Sequence, residues 1–232
     1  MKMFRIHRKY LINKINVLLL AFIALIGIII NYLCIKRINS EYNWFDGSIA
    51  VIEYLEVFLM YYKLIVINLI CFLWGSFFTK SNNSYHLLIT GYKQLKLRFI
   101  LTKLSVLLII TIFVVFVNFY FMSLIGVLCC NFISIDKIII ELFLKVLLIC
   151  IIYGLLSTIF SILINSNYAC FISVGLFVLC ELLSDNFVNM RTYYVFFPGL
   201  SLNGELCFGL IQLFLLVTIY AFLVVLSYLC KK

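Results

Sequence analysis

Residues 146–180 contain no charged side chain, and no other feature of the sequence restricts the possible folds as strongly. A helix crosses the hydrocarbon core of a membrane with about 20 apolar residues, so this stretch is too long for one crossing. The polar triplet Asn165-Ser166-Asn167 interrupts it, and such clusters between apolar segments are typical of turns. The sequence therefore predicts two membrane-spanning helices here, at 142–164 and 168–184.

The composition of the whole chain also indicates a membrane protein. Hydrophobic residues make up 66% of the sequence and the mean hydropathy is +1.20, whereas charged residues account for 12%. Soluble domains contain about twice that share of charged residues. The 232 residues suit one domain of about six membrane-spanning helices. We therefore expect an all-α membrane protein with a single transmembrane domain over 1–232 and spans near 15–35, 57–78, 104–130, 142–164, 168–184 and 206–229.

The distribution of charge predicts the orientation of these spans. Cytoplasmic loops of membrane proteins are enriched in Lys and Arg. With the N- and C-termini in the cytoplasm, all nine acidic residues fall on the outer side or at outer span ends, and most of the 18 basic residues lie inside. The inner basic residues are Lys2, Arg5, Arg8, Lys9, Lys14, Lys80, Lys93, Lys96, Arg98, Lys103, Lys231 and Lys232. The net charge of +9 then suits anionic lipid rather than nucleic acid.

Residues 1–14 predict an amphipathic helix that lies on the inner membrane surface before the first span. On a helical projection Met3, Phe4, Ile6, Tyr10 and Leu11 share one arc, and Lys2, Arg5, Arg8 and Lys9 share the opposite arc. An ordinary basic flank is the alternative. The bias toward Ile, Phe, Tyr, Asn and Lys is typical of an AT-rich bacterial genome, so we expect a multi-pass protein of the bacterial cytoplasmic membrane.

The segment "TKSNNSYHLLITGYKQLKLRFILTK", residues 79–103, follows the second predicted span on the cytoplasmic side. Asn82, Asn83 or Ser84 can cap the start of a short helix, and Gly91 can end it. That helix comprises Tyr85, His86, Leu87, Leu88, Ile89 and Thr90, and its consecutive aliphatic side chains need cover from the protein or from a partner. An inner basic stripe follows, formed by Lys93, Lys96, Arg98 and Lys103. The alternative is a plain re-entry helix whose lysines hold lipid head groups.

These features resemble the type-2 ABC exporter permeases, in the number of spans, the N-terminal elbow helix before the first span and the stretch "LLITGYKQLKLRFILTKL" after the second. The resemblance implies that 85–90 is a coupling helix that docks on a separate cytoplasmic ATPase, which holds ATP and Mg. It also implies a second permease copy or a homologous permease, in contact through the first and fifth spans. The chain has no G-x-x-x-x-G-K-[ST] motif, so we expect it to be no enzyme and to bind no cofactor itself.

The connection between the fifth and sixth spans is rich in aromatic residues. In the family that the chain resembles, this region dips back into the outer leaflet, and Tyr193, Tyr194, Phe196, Phe197 and Pro198 suit such a re-entrant segment. A plain outer loop with interfacial aromatic side chains is the alternative.

Three further expectations concern residues inside the spans. Gly154, Ser157, Thr158 and Ser161 form a stripe of small residues that lets a neighbouring helix approach closely. Lys63 either lines a path through the bundle or, as is commoner, extends its ammonium group toward the outer interface. The nine cysteines include no C-x-x-C pair, so we expect apolar packing residues and no metal site.

The expected function is that of a permease subunit of a bacterial ABC transporter. Few charges line the predicted spans, which favours a hydrophobic or amphipathic substrate. By analogy with the family, we expect efflux of antimicrobial peptides or drugs and, with it, bacteriocin immunity. The alternative is a six-helix membrane protein that works without an ATPase, as a substrate-capture subunit or an immunity factor.

Overall fold

The computed structural model describes residues 62–78, 93–130, 137–184 and 206–230, with isolated positions at 22, 25–29, 32–33, 36, 55–56 and 58–60. A π-helical turn, Tyr62–Val66, leads into α1, Ile67–Phe77. Two long helices follow, α2 at Lys93–Cys130 and α3 at Lys137–Ile164. A 3-10 turn at Asn167–Ala169 precedes α4, Cys170–Ser184, and α5 spans Leu206–Cys230. The described residues include no strand, so the all-α prediction is confirmed for this part of the chain.

Three helical stretches are long and apolar enough to cross a membrane: Phe58–Phe77, Leu97–Met122 and Ile139–Ile164. They lie at the second, third and fourth predicted spans. Helices α4 and α5 lie at the fifth and sixth, with shorter apolar stretches at Cys170–Leu182 and Phe214–Ser227. The count of six crossings and the cytoplasmic termini stay predictions, and the elbow helix at 1–14 lies outside the described residues.

Helix α3 is the centre of the bundle. It packs against α1, α2, α4 and α5. Within the stretch Ile139–Ile164 of α3, 67% of the most apolar segment is buried, compared with 44% of the most apolar segment of α2. Its middle, residues 149–158, is buried at every position. A helix that is apolar around its whole circumference needs such surroundings. Large apolar side chains remain exposed on the outer helices, as expected for a surface that faces lipid.

Contacts between the helices reveal their relative directions. At one end of the bundle the ring of Phe58 lies 5.4 Å from that of Phe119, and at the other end Lys103 contacts Phe77. The segment that runs from Phe58 through α1 is therefore antiparallel to α2.

The same reasoning fixes the direction of α4. Lys63 pairs with Glu181, whereas Gly75 lies against Cys170, so α4 is also antiparallel to α1. Helices α2 and α4 therefore both run opposite to α1.

The turn between α3 and α4 lies at the polar triplet from which the division of 146–180 was predicted. Asn165 adopts a positive φ of 58°, a left-handed conformation that Asn tolerates better than most residues. Its backbone N–H donates to the Ser161 carbonyl at 3.0 Å. The Ser166 hydroxyl then accepts a hydrogen bond from the Tyr168 N–H at 3.2 Å, which starts the next helical segment.

Candidate functional site

The predicted coupling helix and the predicted re-entrant segment both lie outside the described residues. The first comprises Tyr85–Thr90, within the undescribed range 79–92, and the second lies within 185–205. Lys93 and Lys96 belong to the backbone of α2, but their side chains are not among those described. The structure describes the helices that flank 79–92, α1 before this segment and α2 after it.

Lys103 lies ten residues after the start of α2 and joins that helix to the end of α1, and we call its contacts the Lys103 clamp. Its side chain is 2% exposed, and Nζ donates to the backbone carbonyl of Phe77 at 2.9 Å. The ammonium group lies 4.9, 5.2 and 5.0 Å from the ring centroids of Phe77, Phe78 and Phe99, within the range of cation–π attraction. The last carbonyls of a helix lack an intrahelical partner, and Lys103 satisfies the one at the last residue of α1.

The structure therefore differs from the prediction for one member of the inner basic stripe. Arg98 is exposed, as a surface basic residue would be, whereas Lys103 is buried. Residues five positions apart on a helix point to different faces, so Arg98 and Lys103 do not share a surface. Lys103 is buried against the end of α1, where it donates to the Phe77 carbonyl.

Helices α1 and α3 approach closely through small residues. A Cβ atom added at Gly154 would lie 2.7 Å from the ring of Trp74, and one at Gly75 would lie 2.6 Å from the Ser157 hydroxyl oxygen. Ser157 donates to the Cys71 carbonyl at 2.6 Å. The predicted role of Gly154 and Ser157 in close helix packing is confirmed.

The indole of Trp74 links this contact to α2. It is fully buried, and its Nε1–H donates to the Thr111 hydroxyl at 2.9 Å. The end of α1 is therefore held by α2 through both Thr111 and Lys103, and by α3 through its small residues.

Three charged side chains meet at the opposite end of the bundle, and we call them the charge cluster: Lys63, Lys145 and Glu181. Lys63 Nζ forms an ion pair with the Glu181 carboxylate, with side chains 26% and 16% exposed. The charge of Lys145 interacts with those of both other members. The three residues come from the π-helical turn before α1, from α3 and from α4.

Sequence reasoning missed the charge cluster, because it treated Lys63 as an isolated residue that reaches toward the interface. The signal was present in the spacing. Lys63 lies near the start of one apolar stretch and Glu181 near the end of another, so two antiparallel helices bring them to the same level. The pattern of a single helix does not tell which helices are neighbours.

Four thiols lie inside the described bundle. Cys71, Cys150, Cys170 and Cys180 are buried free cysteines. Among the described residues, no three His, Cys, Asp or Glu side chains are grouped in a way that suits a metal ion.

Comparison of the chain with protein-family models, with curated proteins and with solved structures finds no match. The functional argument therefore rests on the residues themselves.

Proposed function

We propose that this chain is the permease subunit of a bacterial ABC transporter of the type-2 exporter kind, driven by a separate cytoplasmic ATPase. The observation that carries the proposal is the Lys103 clamp, which joins the end of α1, before residues 79–92, to a point about three turns into α2, after them. These residues contain the short amphipathic segment "YHLLIT" that the sequence marks as a docking element.

A docking element between two clamped helices is suited to transmit force. When a partner displaces such a segment, the displacement passes to both flanking helices together, because the clamp prevents them from separating. Trp74 and Gly154 extend the connection to α3, the central helix. A movement at 79–92 would therefore reach most of the bundle, as a subunit that converts ATP hydrolysis in a partner into transport requires.

In this proposal the ATPase supplies ATP and Mg, and a second permease copy or a related permease completes the pore. Helix α4 has an exposed apolar face that includes Phe171, Leu179 and Leu182, together with Gly175, whose surroundings are open within 4 Å. This face is consistent with the expected contact through the fifth span. The substrate is a hydrophobic or amphipathic compound such as an antimicrobial peptide or a drug, so that export protects the bacterium.

The test is whether the chain retains its ATPase when the docking element loses its apolar side chains. We expect Leu87→Ala/Leu88→Ala to weaken association by about 2–4 kcal/mol, since each buried CH₂ contributes about 0.8 kcal/mol. The measurement is co-purification of the ATPase with the tagged permease, normalised to the amount of permease in the membrane.

The matched control is Leu97→Ala/Leu101→Ala, which removes two leucines that are 38% and 50% exposed on α2. This variant keeps its ATPase if the proposal is correct. Undiminished ATPase association of the Leu87/Leu88 variant at normal abundance would instead favour the alternative, a membrane protein that works without an ATPase.

A further inference from the structure

Placing the three charged side chains of the charge cluster inside an apolar bundle costs free energy. This cost indicates that the cluster has a function other than stability. Removing charged groups from water costs several kcal/mol each, and well-packed apolar residues often stabilise a protein as well as a buried ion pair does. Ionisable residues within membrane-spanning helices therefore commonly belong to binding sites or transport paths. Lys63 also lies in a π-helical turn, a distortion that occurs frequently at functional sites.

The depth of the cluster suits the head group of a lipid-like molecule. Lys63 follows the start of the apolar stretch Phe58–Phe77 by five residues, and Lys145 follows the start of Ile139–Ile164 by six. At 1.5 Å per residue both lie about 8–9 Å along the helix from the first residue of these stretches. A head group at this level leaves its hydrocarbon tail in the apolar core.

The cluster can be reached from the side. Lys63 and Glu181 are partly exposed, and the neighbouring apolar side chains Met60, Leu64 and Leu182 are 58%, 55% and 62% exposed. A molecule dissolved in the bilayer therefore meets apolar surface for its tail beside charged groups for its head.

We propose that the charge cluster binds a single-chain amphiphile with a carboxylate head group. Lys63 already forms an ion pair with one carboxylate, that of Glu181, and Lys145 adds a second positive charge that interacts with it, so the site has the chemistry to hold a ligand carboxylate in its place. The ligand carboxylate displaces Glu181 from Lys63 and interacts with Lys145. Glu141 lies one helical turn before Lys145 and shares its surroundings, so the test includes it.

The experiment measures binding of a fluorescent fatty acid, dansyl-undecanoic acid, to the full chain in lipid nanodiscs without any ATPase. At about pH 8 the head group is ionised and lysine is protonated in water. We expect Lys63→Met and Lys145→Met each to weaken binding about tenfold. Glu181→Gln removes the competing internal carboxylate, so it should tighten binding about threefold or more. A gain of affinity does not arise from misfolding, which protects the test against unstable variants.

The controls separate this site from general membrane partitioning. Lys36→Met changes an exposed lysine just beyond the first predicted span and should not alter binding, whereas Glu141→Gln removes a carboxylate one turn from Lys145 and should not weaken binding. Palmitate should compete with the probe, whereas methyl palmitate should not.

Equal binding to the wild-type chain and to both lysine variants, or equal competition by the ester, would overturn the proposal. Competition by phosphatidylglycerol instead of palmitate would overturn it in favour of a phosphate head group. Because no ATPase is present, these outcomes are independent of the proposed coupling function.

Discussion

At the residue scale, Gly154 matters because it leaves space for the indole of Trp74. A Cβ at this position would lie 2.7–2.9 Å from three ring carbons, and the fully buried ring has little freedom to move. We expect Gly154→Ala to lower the free energy of unfolding by about 1–3 kcal/mol, as overpacking of a filled core does. The measurement is chemical unfolding in mixed micelles. The control is Gly175→Ala, where a Cβ meets nothing within 4 Å and stability should not fall.

The same positions show which helix contacts can be predicted from the sequence and which cannot. The small residues of α3 could be predicted as a close contact, because Gly and Ser inside a span have few other roles. That Trp74 fills the space opposite Gly154 could not be predicted, since α1 and α3 are far apart in the sequence. The ion pair of Lys63 with Glu181 could not be predicted for the same reason, because Glu181 lies on another helix, α4.

At the element scale, the Lys103 clamp determines how α1 and α2 are joined. We expect Lys103→Met to lower the free energy of unfolding by about 1–3 kcal/mol, because the buried Phe77 carbonyl loses its hydrogen-bond donor. Methionine keeps the length of the side chain but loses the attraction to the rings of Phe77, Phe78 and Phe99. Unfolding in micelles measures the effect, and Arg98→Met, at an exposed position on the same helix, should leave stability unchanged. Equal stability of the two variants would contradict the clamp.

The proposal adds a second readout to this pair of variants. If the clamp transmits force, Lys103→Met should retain its ATPase but transport less, whereas Leu87→Ala/Leu88→Ala should lose the ATPase itself. A Lys103 variant with full transport would show that the two helices need not be joined.

The positions of the helices were largely predictable, because charge-free runs and the Asn165 turn mark them in the sequence. The residues of α2 that face the interior of the bundle could not be predicted. Lys103 reads as one of several basic residues at the start of a span, and only the aromatic rings of another helix distinguish it from Arg98.

At the scale of the whole molecule, α3 organises the bundle, and the two polar sites lie at opposite ends of α1. The Lys103 clamp adjoins the predicted docking segment, and the charge cluster lies at the end predicted to be outside. The count of crossings follows from the apolar runs and the position of 79–92 in the cytoplasm from the positive-inside rule, and both stay predictions. They determine whether an ATPase can reach "YHLLIT" at all.

The most direct test of the central proposal is photo-crosslinking in cells from a benzoylphenylalanine placed at Leu88, with the same group at Tyr194 as the control. We predict that Leu88 yields an adduct with a cytoplasmic protein that carries the phosphate-binding motif G-x-x-x-x-G-K-[ST], and that Tyr194 yields none. An adduct of this kind from Tyr194 but not from Leu88 would contradict the orientation. Adducts with such a protein from neither position, in cells that perform the transport, would contradict the coupling of this chain to an ATPase.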